Sequence, residues 1–326
     1  MSKMNNDSIV IIDGCRTAVG KMGGSLKDFE ASDLGGIVIQ ELVKRTGIEP
    51  EIVDEVVFGN VGQAAENAFV ARLCGVKGGL PYETTALTVN RLCSSGVQAI
   101  VTAAQEIKDG YCEIAIAGGC ESMTNLPFYL RNARYGYRMG HAELEDGLIT
   151  ALSDPFSRSH MGVTAENVAE RYGITRERQD EVAFTSQQRA TKAINAGKFK
   201  DEIVPIEIKL DRKGLNTAMF SEDEHVRPNV TLEGLAKMRP VFKENGTVTA
   251  GNASGINDGA AAVLLMKESK TKELGLTPKM RLIDSAVAGV DPMYMGIGPV
   301  PAMNKLFLKT GLNKSDIDVF ELNEAF

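Results

Sequence analysis

The chain has 326 residues, 43% of them hydrophobic and 24% charged, which is ample for a buried core without a metal or disulfide staple. Its formal net charge of −7 argues against a general nucleic-acid surface, so an anionic ligand would need a local patch of cations. The odd count of five cysteines, with no C-x-x-C, argues against a disulfide framework and a structural zinc site, and His141, His160 and His225 lack metal-ligand spacing.

The start, "MSKMNNDSIVIIDG", reads as a polar lead into a short strand, with neither a secretory apolar core nor an Arg-rich transit pattern. No apolar run approaches transmembrane length, and the composition fits a reducing, cytoplasmic setting. Strand and helix then alternate. "SIVIIDG" predicts a strand, and "ASDLGGIVIQELVKRTG" a helix capped near Ser32 or Asp33 and stopped at Gly47. "DEVVFGN" predicts a strand, "ENAFVARLCGVKGG" a helix and "TALTVN" a buried strand. "SSGVQAIVTAAQEIKDG" predicts a helix buried on more than one face, followed by the strand "EIAIAGG". This rhythm implies a mostly parallel sheet with helices on both faces, and active residues at the carboxyl ends of its strands.

From about residue 120 to 245 the rhythm breaks. "ESMTNLPFYLRNARYGYRMG" is aromatic and irregular. Two amphipathic helices, "TAENVAERYG" and "TRERQDEVAFTSQQRATKAINAGKF", come next, then the strand "IVPIEIKL" and a polar stretch to Pro240. "GTVTAGNASGINDGAAAVLLM" restores the sheet pattern, and "RLIDSAVAGV", "PAMNKLFLKTG" and "DIDVFELNEAF" restart a strand-helix-strand order.

Cys93 falls where a strand hands over to a helix. An isolated cysteine is more often a packing residue, but a thiol at a helix amino end meets the positive end of the dipole, and Ser94, Ser95 and Gly96 leave room for a substrate. Cys74 and Cys112 lie in or beside apolar runs and read as packing; Cys15 and Cys120, at strand ends, stay open. In "AGNASGINDGAAA", Gly251, Gly255 and Gly259 would let backbone approach a ligand, and Asn252, Ser254 and Asn257 offer hydrogen bonds; a turn-rich loop is the plainer alternative. "MGIGPVPA" reads as a tight turn into a helix. An Asn in "NEAF" suits either an oxyanion site or a helix cap.

Taken together, "VNRLCSSGVQAI", "AGGCESMTNLP", "SHMGVTAENVAE", "RPVFKENGTVTAGNASGINDGAAAVLLM", "VDPMYMGIGPVPA" and "ELNEAF" resemble the thiolase family, among them the acetyl-CoA acetyltransferases, in family order and over essentially the whole chain. The features "CESMTNLP", "SHMGVTAENVAE" and "NASGINDGAAA" set it apart from the related ketoacyl synthases. The resemblance implies an α/β, layered α-β-α-β-α fold of two similar sheet halves. An N-terminal core half would span 1–120 and 245–270, an inserted loop domain 121–244, and the start of a second half 271–326.

It also implies acyl transfer through an acyl-cysteine, with two acetyl-CoA in exchange with acetoacetyl-CoA and coenzyme A, no further cofactor, and a homodimer or homotetramer. By the same resemblance Cys93 is the nucleophile and Asn323 holds an oxyanion-site water. His160 and Met161 line the acyl and pantetheine pocket with Phe242, Ala250, Met295 and Phe326; Ser254 contacts pantetheine and Arg227 the nucleotide end. Gly234 stands where relatives often have serine, which would remove one polar contact.

Thiolases also use a histidine in a Gly-His-Pro context and a second cysteine in a Cys-x-Gly-Gly-Gly context, and neither occurs in these 326 residues. A positioned acid or base typically contributes about a hundred- to ten-thousandfold, so the chain alone is expected to show little turnover, and a non-catalytic acyl-CoA-binding role is the alternative. Cleavage of acetoacetyl-CoA by coenzyme A, with purified chain of verified mass, checks this; family-like turnover would contradict it.

Overall fold

The computed structural model describes residues 7–211 and 213–326; the polar lead at residues 1–6 lies outside them. The chain divides into two units. The first comprises Met1–Leu126, Phe199–His225 and Ile256–Ile283, and the second Pro127–Lys198, Val226–Gly255 and Asp284–Phe326. The stretch expected as an insertion, 121–244, is thus shared between them.

In chain order the first unit runs through β1 (Ile9–Thr17), β2 (Gly20–Lys21), α1 (Ala31–Thr46), β3 (Glu55–Gly59), α2 (Val70–Lys77), β4 (Thr85–Val89), α3 (Ser95–Asp109) and β5 (Ile114–Ser122). The second unit supplies β6 (Phe128–Tyr129), β7 (Glu145–Asp146), α4 (Gly147–Ala151), α5 (Met161–Tyr172) and α6 (Arg176–Asn195). β8 (Ile203–Val204), β9 (Ile206–Lys209) and β10 (Thr217–Phe220) belong to the first unit and α7 (Leu232–Ala236) to the second. β11 (Asn257–Lys267), α8 (Glu268–Leu274) and β12 (Met280–Arg281) complete the first, and α9 (Pro299–Thr310) lies in the second.

The main sheet has the order β12-β1-β11-β5-β3-β4, with β2 joined to β11 and β8 to β1. It is mixed, not mostly parallel. β3 runs parallel to β4 and β5, but β11 enters antiparallel to both β5 and β1. Successive residues of a strand face opposite ways. Val56, Phe58, Ile114 and Ile116 therefore pack under α1 and α2, while Val57, Ala115 and Ala117 pack under Ala99, Ala103 and Ile107 of α3.

Three local expectations are corrected. "TALTVN" is the edge strand β4, with Leu87 40% exposed, because only β3 pairs with it. α3 buries a single face, and Val97 on the other is 67% exposed. α1 begins two to three residues earlier than expected. Its N-cap is Glu30, and Asp33 reaches back to the Glu30 N–H at 3.0 Å, forming a capping box. The helix closes at Gly47 in the left-handed conformation (φ 66°), as expected.

"IVPIEIKL" is split at Pro205, which lacks an N–H for a ladder. β8 pairs with β1, and β9 pairs with β10 in a separate ribbon. Of "RLIDSAVAGV" only Arg281 is in a strand, and "DIDVFELNEAF" forms none, because among the described residues no ladder partner faces either segment. No helix among the described residues is long and apolar enough to cross a membrane.

One contact decides where α3 starts. A Cβ added at Gly59, the last residue of β3, would lie 2.5 Å from the Ser95 carbonyl carbon and 2.7 Å from the Gly96 nitrogen. Both neighbours are backbone, so only glycine admits this approach. Gly59→Ala is expected to destabilise the protein by about 1–3 kcal/mol, the usual cost of overpacking. Urea unfolding of the two proteins measures it; an unchanged midpoint would contradict the contact.

Candidate active site

In the first unit the sequence 90–95 makes the elbow between β4 and α3. The Leu92 N–H donates to Asn90 Oδ1 at 3.0 Å, and Leu92 adopts φ 48°, a left-handed conformation that is strained for leucine. Ser95 Oγ accepts from the Arg91 N–H at 2.8 Å and donates to the Leu92 carbonyl at 2.6 Å. Ser94 Oγ donates to the Arg91 carbonyl at 2.9 Å. This mesh holds Cys93 one residue before the N-cap, Ser94, whose side chain does not cap the helix. The thiol is exposed at the amino end of a 15-residue helix, where the dipole favours an anion.

The other four cysteines are buried. Cys15 lies inside β1, its Sγ donating to the Val38 carbonyl at 3.2 Å, and burial pushes its pKa up to about 12. Burial pushes Cys112 up to about 12 as well. Cys120, inside β5, is raised by its hydrogen bond with Cys74 and by burial, the two sulfurs standing 3.6 Å apart. Cys15 and Cys120, left open by their positions in the sequence, are therefore core thiols.

The second unit gathers several of the other expected residues. His160 is the N-cap of α5, and its Nδ1 accepts the Gly162 N–H at 3.0 Å. The neutral ring then carries its proton on Nε2, and burial lowers the pKa, which favours that neutral form. The imidazole stacks on Phe242, with centroids 4.7 Å apart and planes at 18°, and Phe326 meets Phe242 edge-on at 5.9 Å and 86°. Gly162 permits the stack, since a Cβ there would stand 2.2 Å from the Phe242 ring.

Met161 opens α5. Met295 lies in the 3-10 turn Pro292–Ile297, which Asn167 of α5 holds by donating to the Met293 carbonyl at 3.1 Å. The Ser254 N–H donates to the Ala325 carbonyl at 3.0 Å, and Ser186 Oγ donates to Glu324 at 2.6 Å, so the loop and the "NEAF" segment are tied down. Asn323 is exposed in that segment, and Ala250 is exposed in the turn near Asn252. Arg227 is anchored through its backbone N–H, 2.7 Å from Gln187 Oε1, and its exposed guanidinium makes no ion pair among the described residues. Gly234 caps nothing itself; its N–H donates to Thr231 Oγ1 at 3.0 Å at the start of α7.

In the glycine-rich loop the plainer alternative, a turn-rich loop, accounts for two of the three polar residues. Asn252 is buried and turned inward, Asn257 donates to the Gly20 carbonyl at 3.1 Å, and a Cβ on Gly251 would meet Met238 Sδ at 2.5 Å. Of the three polar residues only Ser254 is exposed. Among the described residues no group of three or more His, Cys, Asp or Glu could hold a metal. The sequence reading missed Asn90 and Ser95 as elbow latches, although residues of these two types commonly bond to nearby backbone at turns and helix starts.

Residues 9–269 match the model for the thiolase N-terminal domain, and 276–326 that for the thiolase C-terminal domain. Beta-ketothiolase BktB of Cupriavidus necator is 52% identical over 320 residues, covering 98% of this chain and 80% of that protein. The acetyl-CoA acetyltransferase of Syntrophomonas wolfei is 50% identical over 321 residues, with the same coverage of 98% and 80%. The crystal structure of Bacillus anthracis acetyl-CoA acetyltransferase aligns with a TM-score of 0.95 at 46% identity, and that of human mitochondrial 3-ketoacyl-CoA thiolase in complex with CoA with 0.93 at 44%; each alignment covers 98% of this chain and 80% of the other.

Exposure and thiol chemistry together predict that Cys93 is alkylated well before the other four cysteines. Brief iodoacetamide treatment of folded protein followed by peptide mapping checks this, and preferential labelling of Cys15, Cys74, Cys112 or Cys120 would contradict it.

Proposed function

The chain belongs to the thiolase family, and from that membership we propose that it transfers acyl groups between coenzyme A thioesters through an acyl-cysteine on Cys93. The reaction is the exchange of two acetyl-CoA with acetoacetyl-CoA and coenzyme A. The observation that carries this reading is Cys93 itself, the exposed thiol among four buried ones, set at the amino end of α3.

In the first step Cys93 Sγ forms a bond to the thioester carbonyl carbon, the carbon–sulfur bond to coenzyme A breaks, and the proton lost by one thiol is balanced by that gained by the other. In the second, the α-carbon of acetyl-CoA loses a proton and attacks the acyl-cysteine carbonyl. A carbon–carbon bond forms and the Cys93 thiolate leaves, the proton lost from the α-carbon being balanced by the one that restores the thiol. Negative charge develops on the carbonyl oxygen in both steps, and hydrogen-bond donors preset around that oxygen would lower the barrier. A water held by Asn323 is the donor assigned by family position.

The pantetheine and acyl chain would run against His160, Met161, Phe242, Ala250, Met295 and Phe326, with Ser254 as a polar contact. His160 offers Nε2–H as a donor in its neutral form. Arg227 would meet the nucleotide phosphates, a local cation offsetting the formal charge of −7. No further cofactor enters these steps. A homodimer or homotetramer in the cytoplasm completes the proposal.

Incubation with acetyl-CoA and mass analysis of the digested protein tests it. An acetyl-sized increase is expected on the peptide bearing Cys93 and is expected to vanish in Cys93→Ala. An adduct confined to another residue would overturn the assignment.

A further inference from the structure

Two buried carboxylates in the second unit have no place in the chemistry above. Glu166, on the inner face of α5, is 4% exposed. Its Oε1 accepts the N–H groups of Thr247 (2.8 Å) and Val248 (2.7 Å), and Oε2 accepts the Thr247 N–H (2.9 Å) and Oγ1 (2.8 Å). Gly246 makes the approach possible, since a Cβ there would lie 2.3 Å from Glu166 Oε1.

The second carboxylate is Asp180 of α6, also 4% exposed. It accepts from Asn252 Nδ2 at 2.9 Å and from Arg176 Nε at 2.8 Å. Asn252 extends the chain of bonds: its Oδ1 accepts the Thr249 N–H at 2.7 Å, and its Nδ2 also donates to the Thr247 carbonyl at 3.1 Å. The segment 247–252 is thus clipped from two helices, at four polar groups: the Thr247 N–H and Oγ1, the Val248 N–H and the Asn252 amide.

What hangs from this segment is part of the set of residues placed above in the ligand pocket: Phe242, Ala250 and Ser254. The Val241 N–H donates to the Val248 carbonyl at 3.0 Å, and Pro240 bridges to Thr249, so Phe242 leaves this small ladder already aimed. At the head of α5, the helix that carries Glu166, His160 stacks on that same ring. Ala250 lies inside the clipped turn, and Ser254 follows Asn252 by two residues.

We propose that Glu166 and the Asp180–Asn252 pair are positioning residues for coenzyme A, fixing Phe242, Ala250 and Ser254 in their ligand-binding pose without touching the ligand themselves. The inference rests on the reading that these three residues hold coenzyme A thioesters. A carboxylate that accepts successive N–H groups sets the backbone by direction as well as distance, which an apolar contact cannot do. Binding residues must be held to within about 0.5 Å, so loosening the clip should appear first in ligand affinity.

The test is calorimetric titration of the full chain with coenzyme A, at a temperature where far-UV circular dichroism shows each variant folded. Glu166→Gln keeps size but turns an NH2 toward N–H donors, and Asn252→Asp sets a second carboxylate against Asp180. Each is expected to weaken coenzyme A binding about tenfold, the equivalent of one lost charge-assisted hydrogen bond. The rate at which iodoacetamide labels Cys93, in the other unit, is expected to stay at its original value.

The exchanged pair Asp180→Asn with Asn252→Asp restores an amide facing a carboxylate but not the donation to the Thr247 carbonyl or the Arg176 ion pair, so affinity is expected to recover in part. Recovery separates positioning from a general loss of stability, and it decides the matter if Glu166→Gln fails to fold. Folded variants that bind coenzyme A as tightly as the original chain, or an exchanged pair that recovers nothing, would overturn the inference while leaving the site reading intact. An original chain that does not bind coenzyme A would overturn both.

Discussion

The contact between Gly59 and the first turn of α3 sets the geometry of the first unit. It brings helix backbone to within the distance at which a single methyl group would collide with Ser95 and Gly96. Once the amino end of α3 rests there, Ala99, Ala103 and Ile107 are delivered onto the sheet face formed by Val57, Ala115 and Ala117. These small residues keep helix and sheet close, and their methyl groups add an apolar seam to the glycine contact. The elbow before the helix then has little freedom left. Leu92 takes a left-handed conformation, and the Asn90 and Ser95 side chains satisfy the backbone groups that the sharp turn exposes. Cys93 is exposed because the turn places it beyond the end of a packed helix.

Carboxylates organise the loops throughout the molecule, and mostly by accepting backbone N–H groups. Glu121 accepts from Val61 and Gly62 at 2.8 and 2.9 Å and from the Asn60 amide at 3.0 Å. Asp54 accepts from Glu113 and Ile114, and Glu224 from Lys21 and Ser25. Glu166 does the same for Thr247 and Val248. Burial raises the pKa of Glu121, and the donors from Val61, Gly62 and Asn60 act against that rise. A loop held this way keeps its shape without a large core beneath it, which suits segments that must also present residues to a ligand.

The five thiols show how far environment separates one residue type. Cys15 and Cys112 are pushed to about 12 by burial, and Cys120 shares a hydrogen bond with Cys74 in the core between α1, α2 and β5. None of these is suited to nucleophilic work at neutral pH, because the thiolate would be formed in an apolar interior. Cys93 escapes that constraint by position alone.

Much of the fold was legible in the sequence because it was written in local patterns. Gly47 and Gly110 closed their helices as left-handed caps, the apolar spacing marked α1, α3 and α5, and the strand–cysteine–helix order around Cys93 held. The thiolase motifs fixed the family, since long stretches in order carry far more information than any single loop. What the sequence could not reveal depended on partners distant along the chain. Whether "TALTVN" was central or an edge depended on how many strands would pair with it, and β11 reversed the expected sheet direction from nearly 140 positions after β5. Asn252 looked like a ligand contact until Asp180 and the Thr247 carbonyl claimed its amide. Glu166 sits on a helix that the sequence marked only as amphipathic, and it is buried against the N–H groups of Thr247 and Val248. Local spacing therefore determined the elements and the reactive cysteine. Strand order, side-chain burial and the polar clips were decided only by tertiary packing, because each is a property of two segments brought together and neither segment encodes it alone.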